Sequence, residues 1–283
     1  MKDSRCALVT GAAAGLGREL SVAFAKRGLA LALVDIDEAG LKGTHAACAP
    51  HGDSLLSIAA DLTASGSTAR IVADTVGQFG RIDVLVNCAA IGEAQAFGSM
   101  TESLWQRTFA VNVTALVSLT LEVANEMIER QTKGRIVNIT SPGSRMALPN
   151  YAAYAASKAA VDSFTRTASV ALARHGIKVN SVAPGMMDTA MQRTVEAEMA
   201  RVEGRSDLEV FLQERTNRVP LGRRAEVSEV VDSIVWLALD APEYITCARL
   251  NVSGSIPKRF GPLRRLHSMQ ERARFSDSVV PPC

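Results

Sequence analysis

The feature that most restricts the fold of this chain is an alternation. Between Cys6 and Val252, short apolar, β-branched runs take turns with longer amphipathic segments. The pattern predicts strands over 7–10, 29–35, 55–59, 84–87, 135–140, 178–182 and 245–252. Helical periodicity falls between them, at 16–27, 68–79, 102–130, 154–174 and 226–239. Strands separated by helix-length segments are joined by crossovers, which makes them parallel, and a parallel sheet must be covered on both faces. Right-handed crossovers then give an α/β chain with a doubly wound seven-stranded parallel sheet.

Apolar residues make up 47% of the 283 positions, enough for a large core and too many for a disordered chain. No linker rich in Pro, Gly or Ser and no internal repeat divides the alternation, so residues 1–255 read as one domain. Two stretches stand outside the pattern. Residues 190–218 are polar and helix-prone, and lie between a strand and a helix, where a substrate-binding lid would be inserted. Residues 256–283 hold several prolines without periodicity and are expected to be irregular.

Lys and Arg number 31 against 29 Asp and Glu, a balance that argues against a nucleic-acid partner. The total hides an asymmetry, because the last 28 residues hold six basic and two acidic side chains. That leaves a −2 body carrying a +4 tail. Five scattered cysteines do not form a disulfide framework, and the first residues lack the apolar stretch of a secretory signal. The longest uncharged window, 108–121, is shorter than the roughly 18–20 apolar residues of a membrane span. A cytoplasmic protein with no membrane partner is expected. His45, Cys48 and His51 have metal-like spacing, but Pro50 interrupts them and no fourth ligand follows, so no metal is expected.

The chemistry begins at the first strand's end, where Thr10-Gly11-Ala12-Ala13-Ala14-Gly15-Leu16-Gly17 leads into a helix. Glycines let the backbone turn tightly and approach a pyrophosphate, while the helix N-terminus offers free N–H groups to that anion. Asp35 closes the second strand 18 positions after Gly17, near the spacing at which an acid meets the adenosine ribose. Ala14 and Ile36 offer nothing to a 2′-phosphate, so the cofactor is expected to be NAD. Helix capping is the other use for Asp35, and Asp37 is better placed for it.

Ligands bind at the carboxyl ends of strands in an open α/β sheet. There the chain places Asn87-Cys88-Ala89-Ala90, Thr140-Ser141 and Pro184-Gly185. Tyr154 and Lys158 follow at i and i+4 on one helical face. An ammonium beside a phenol, whose usual pKa is about 10, lowers that value toward neutrality and fits it for proton transfer. Tyr151 has Ala155 at its i+4 position and does not fit the pattern.

With these residues in view, the sequence resembles the short-chain dehydrogenase/reductase family, in its branch with a TGxxxGxG cofactor motif. The resemblance runs from Arg5 to about Gly254. Its motifs are TGAAAGLG, Asp61-Leu62-Thr63, Asn87-Cys88-Ala89-Ala90, Asn112 in VNVTA, Ser141 in IVNITS, Tyr154 with Lys158, and Asn180 through Pro184-Gly185 to Thr189. It implies a single-domain Rossmann fold and a homodimer or homotetramer, for which the Ala-rich helix after Tyr151 would allow close approach. It also implies hydride exchange between NAD and a secondary alcohol or ketone. On this footing Tyr154 is the general acid and base, Ser141 orients the reacting oxygen, and Lys158 lowers the phenol pKa and holds the nicotinamide ribose. Asn112 helps hold a water that links Lys158 to solvent. Asp61 and Leu62 contact the adenine, and Thr189 with the Pro184 segment holds the carboxamide. The expected cofactor contacts are Gly11, Ala14, Gly15, Leu16, Gly17, Asp35, Ile36, Asp61, Leu62, Asn87, Ala89, Tyr154, Lys158, Pro184, Gly185, Met187 and Thr189.

The chain departs from the family pattern in places. Ala90 stands where NNAG has glycine, Cys247 closes a segment expected as YITG, and Val252-Ser253-Gly254-Ser255 replaces VDGG. The expected substrate is a small, mostly apolar molecule lined by Ile91, Arg145, Met146, Met186 and Met191, with Arg145 open to a carboxylate. A non-catalytic NAD-binding regulator, a 3-oxoacyl-type reductase and an isomerase with resident NAD are the alternatives.

Overall fold

The computed structural model describes residues 5–255, so the expectation for 256–283 lies outside the described residues. Among the described residues there are seven strands, all in one parallel sheet. They are β1 Cys6–Thr10, β2 Ala30–Asp35, β3 Leu55–Ala59, β4 Val84–Asn87, β5 Arg135–Ile139, β6 Lys178–Pro184 and β7 Arg249–Val252. Their spatial order is β3-β2-β1-β4-β5-β6-β7. The chain therefore winds outward one way from β1, reverses, and winds the other way from β4. This is a Rossmann-type sheet, and the reversal places a crevice between the carboxyl ends of β1 and β4.

Helices α1 Gly15–Lys26 and α2 Glu38–Cys48 lie on one face with α9 Val227–Val235, where Leu20, Phe24, Leu33 and Ile234 are buried together. The other face is covered by α3 Ser67–Phe79, α5 Leu116–Glu129 and α6 Ala152–Ala173, which bury Leu8, Ile71, Val123 and Met127. Central strands buried on both sides explain why β1, β2 and β4 read as nearly continuous apolar runs.

Three sequence expectations are refined. The helix predicted over 102–130 is two helices, α4 Glu102–Phe109 and α5, joined by a π-helical turn at Ala110–Ala115. The run over 226–239 likewise ends in a π-helical turn, Trp236–Asp240. The last strand is shorter than predicted, because Cys247 has φ 62 and breaks the extended run. Asn180 of β6 brackets the resulting loop, donating from Nδ2 to the Ile245 carbonyl at 3.2 Å and accepting from Ala248 N at 2.8 Å. Two of the three departures from glycine, Cys247 and Ser255, stand on left-handed backbone that favours glycine, with φ 62 and 64. Ala90 is not among the described non-glycine residues with positive φ.

Residues 190–218 form two helices, α7 Ala190–Val202 and α8 Leu208–Asn217. They enclose a third apolar cluster of Val195, Met199 and Phe211 against Tyr151, with Tyr154 packed beside it. Residues His45, Cys48 and His51 do ordinary structural work. His45 Nδ1 meets Ser57 Oγ at 3.1 Å, and Cys48 is buried at the end of α2.

Candidate active site

A cavity of about 660 Å³ opens along the carboxyl rim of the sheet and runs from the glycine turn to the α7–α8 pair. Gly11 sits at φ 71, and a Cβ there would lie 2.9 Å from Ala89 Cα, so the β1 and β4 ends approach closely only through glycine. Ala14, at the N-cap of α1, provides no side-chain cap, and the first turn of α1 holds no acidic residue. The amides of that turn are thus left for an anion, beside the cavity-lining Gly15, Leu16 and Gly17.

Asp35 lines the same cavity and accepts from Ala13 N and Asp37 N, each at 3.0 Å. Its carboxylate is therefore tied to the glycine turn, while Asp37 caps α2 through Gly40 N. Arg18, a basic side chain near the turn, donates from Nη2 to the Ala13 and Gly40 carbonyls at 2.5 and 3.2 Å and from Nε to Thr44 Oγ1 at 3.0 Å. An uncapped helix end and a carboxylate facing one crevice fit a dinucleotide.

Deeper in the cavity, Ser141, Tyr154 and Lys158 converge. Ser141 caps the turn at Pro142–Arg145 by accepting from Gly143 N at 3.1 Å, and its hydroxyl also hydrogen-bonds Tyr154. The Ser141 carbonyl is held from β7, where Arg249 Nη2 donates to it at 2.8 Å. Arg249 also pairs with Asp162 of α6, and Ser144 joins that pair through Asp162 Oδ2 at 2.5 Å. Lys158 is almost wholly buried, donates to the Ile139 carbonyl at 2.9 Å, and sits 5.7 Å from the Tyr154 ring centroid.

Burial governs the acidities. It lowers the Lys158 ammonium to about 8, against smaller opposing contributions from Cys88 and Asp162. It raises the Tyr154 phenol above its usual value, and the Ser141 hydrogen bond only partly opposes that. The sequence reading has Lys158 lowering the phenol. In the structure, exclusion of water raises the phenol and the Lys158 ammonium is anchored on the β5 carbonyl. The phenol is therefore protonated at neutral pH, the form that donates to a carbonyl oxygen. Cys88, beside these groups, has its thiol pushed up to about 12 by burial and is inert as a nucleophile.

The other expected positions divide. Ala89, Met146, Pro184, Gly185, Met186, Met187, Thr189 and Met191 line the cavity. Thr189 also caps α7 through Gln192 N, and its side chain lies 3.8 Å from where a Gly15 Cβ would stand. Asn112 is fully buried in the π-helical turn and clamps Ile91, accepting from its N at 2.8 Å and donating to its O at 2.9 Å. A further bond joins Asn112 to Ser157 at 3.0 Å. Asn112 and Ile91 thus form structure behind the wall.

Asn87 turns into the sheet and donates to Asn138 Oδ1 at 2.9 Å and Thr120 Oγ1 at 3.0 Å. Ile36 is 70% exposed beside Asp35. Asp61 is exposed and accepts from Thr63, which lowers its pKa, and Leu62 packs on the second core face. None of Ile36, Asp61, Leu62, Asn87 or Arg145 lines the cavity. Arg145 faces Asp162 at 4.0 Å.

Several lining residues had no signal in the sequence reading. Tyr151 stacks on Tyr154 with ring centroids 4.3 Å apart, although its i+4 partner is alanine. From α7, α8 and the residue that ends α8 come Val195, Met199, Arg215 and Arg218.

Known proteins can now be set beside this geometry. The short chain dehydrogenase family model matches residues 5–200. The chain is similar to a sorbitol dehydrogenase of Cereibacter sphaeroides, 34% identical over 89% of this chain and 97% of that protein. Among solved structures it is similar to NAD+-bound xylitol dehydrogenase, with a TM-score of 0.85 and 29% identity over 90% of this chain and 100% of the other. It is equally similar in shape to an actinorhodin polyketide ketoreductase with NADPH, at a TM-score of 0.85 and 33% identity over 90% and 98% of the two chains.

Proposed function

Because the chain belongs to the short-chain dehydrogenase family, we propose that it is an NAD-dependent oxidoreductase that interconverts a secondary alcohol and a ketone. The observation that carries this reading is the meeting of Ser141, Tyr154 and Lys158 in the cavity that also holds the glycine turn. When bound, the nicotinamide supplies the redox chemistry of the reaction. The protein's share is position and a proton.

Ser141 donates to or accepts from the reacting oxygen and fixes it beside the Tyr154 hydroxyl. Tyr154, kept protonated by burial, gives its proton to a ketone oxygen in reduction and recovers it from an alcohol in oxidation. Lys158, nearly buried and fixed on the Ile139 carbonyl, holds a positive charge beside the ring and would hold the nicotinamide ribose. Asn112 keeps the Ile91 segment in place next to the helix that carries Tyr154. The first amides of α1 would take the pyrophosphate, Asp35 the adenosine ribose, and Thr189 with Pro184 the carboxamide.

The choice of NAD rests on Asp35, which lines the crevice beside Ala14, while Ile36, the next residue, offers no cation to a 2′-phosphate. Relatives of both cofactor types exist, so the choice is tested directly. Secondary alcohols and ketones are screened with NAD(H) and NADP(H) while reduced-nicotinamide absorbance is followed. NAD is expected to give at least about tenfold higher kcat/KM, the effect of one repelled or unpaired charge. Equal use of the two, or a preference for NADP, contradicts the cofactor assignment.

A further inference from the structure

The lid side of the cavity is mostly apolar, with Met186, Met191, Val195 and Met199 facing it, yet Arg215 and Arg218 reach the same wall. Arg215 belongs to a three-charge cluster on Glu196, which is fully buried. Arg224 meets both oxygens of Glu196, from Nη1 to Oε2 at 2.8 Å and from Nη2 to Oε1 at 3.1 Å. That fork-on-carboxylate pairing already balances the charge of Glu196. Arg215 adds one bond, from Nε to Oε1 at 3.1 Å, and rests 5.6 Å from the Phe211 ring centroid. It makes no other hydrogen bond among the described residues, so the cluster holds one positive charge in excess and the two terminal nitrogens of Arg215 are uncommitted.

Two neighbouring acids are engaged elsewhere, and a third, Glu203, lines the cavity itself. Glu198 accepts from Ala94 N at 2.9 Å, Glu214 pairs with Arg205 at 2.9 Å, and Glu203 at the cavity mouth receives Asn150 at 3.4 Å. Arg215 is also electrostatically close to the reacting centre. Burial, with Tyr154 and Glu198 nearby, raises the phenol of Tyr151, the ring stacked on Tyr154, and the Arg215 charge is the one contribution that opposes this. A cation thus stands one aromatic ring beyond the proposed acid.

We propose that the substrate carries a carboxylate on the side of its reacting carbon that faces the lid, and that Arg215, with Arg218 beside it, fixes that group. This rests on the oxidoreductase reading above and names the substrate class within it: oxo acids and the matching hydroxy acids. A planar guanidinium held in place by Glu196 is pre-organised for two-pronged contact with a carboxylate, and the apolar wall between it and Tyr154 suits an alkyl spacer. Arg145, which the sequence offered for this task, is turned to Asp162 outside the cavity.

The test pairs straight-chain oxo acids, from acetoacetate upward, with their methyl esters. Binding to the full-length protein is measured by calorimetry with NAD(H) present, and kcat/KM is measured alongside. At the chain length that fits, the acid is expected to bind at least about tenfold more tightly than its ester, the contribution of one charge-assisted contact. Arg215→Gln is expected to reduce acid binding at least about tenfold more than ester binding, and Arg215→Lys to restore part of the preference. Thermal unfolding of both variants separates loss of the contact from loss of the lid. Acids that bind no more tightly than their esters at every length overturn the proposal, as does an acid preference that survives Arg215→Gln. Acid binding through Arg215 without redox turnover instead upholds the anion site and overturns the oxidoreductase reading.

Discussion

The two walls of the cavity are built differently. The sheet wall is a rim of strand ends, and its groups are placed by backbone. Gly11 brings β1 against β4, α1 presents its uncapped first turn, and Lys158 hangs on the Ile139 carbonyl. The lid wall, α7 and α8, contacts the rest through a small apolar cluster and the Glu196–Arg215–Arg224 group. Under the proposed function, the comparison assigns chemistry to one wall and selectivity to the other. Backbone geometry tolerates few residue types and keeps the proton-transfer groups in place. A side-chain clamp can change its charges while the fold persists, which suits a wall that reads substrates.

The largest expected effect on stability comes from breaking the clamp. Glu196→Ala leaves two guanidiniums facing each other in a half-buried site, at a cost of about 3 kcal/mol, near the lower end for a broken buried pair because both arginines keep some solvent. Chemical denaturation should show this loss while the dinucleotide still binds. If dinucleotide binding vanishes with the clamp, the two walls are not separable in this way.

The smallest effect lies on the sheet side. Cys247 holds a left-handed conformation at φ 62 in the loop before β7, so Cys247→Gly is expected to raise stability by about 1 kcal/mol with turnover unchanged. A loss of stability would show that the thiol contributes more than the strained backbone costs.

The same division explains what was legible in the sequence. The alternation of strands and helices dictated the sheet, because parallel pairing and two-sided burial leave few other arrangements. The glycine turn, Asp35 and the Tyr154–Lys158 pair were legible because each needs a particular residue type at a fixed local spacing. Side chains whose partners are distant in sequence were not. Asn87 was expected at the cofactor, yet its amide satisfies Asn138 and Thr120 inside the sheet. Arg145 was offered to the substrate, while Asp162 on α6 holds it outside. Arg215 gave no signal, since the clamp joins residues 19 and 28 positions away from Glu196 without any periodic mark. Tyr151 was set aside for lack of a lysine one turn on, although its contribution is ring stacking on Tyr154. The direction of the Tyr154 shift was missed for a related reason. Sequence spacing shows the nearby ammonium but not the depth of burial that raises the phenol.

The central claim is that Tyr154 transfers the proton in a dinucleotide-linked redox reaction. Tyr154→Phe tests it most directly, because phenylalanine keeps the ring stacked on Tyr151 and removes only the hydroxyl. Turnover with the best alcohol or ketone is followed by reduced-nicotinamide absorbance, and dinucleotide affinity is measured in parallel by calorimetry. The account predicts that turnover falls by about a thousandfold or more, within the range of a lost general acid, while dinucleotide affinity changes by no more than about threefold. Turnover retained to within about tenfold would contradict it.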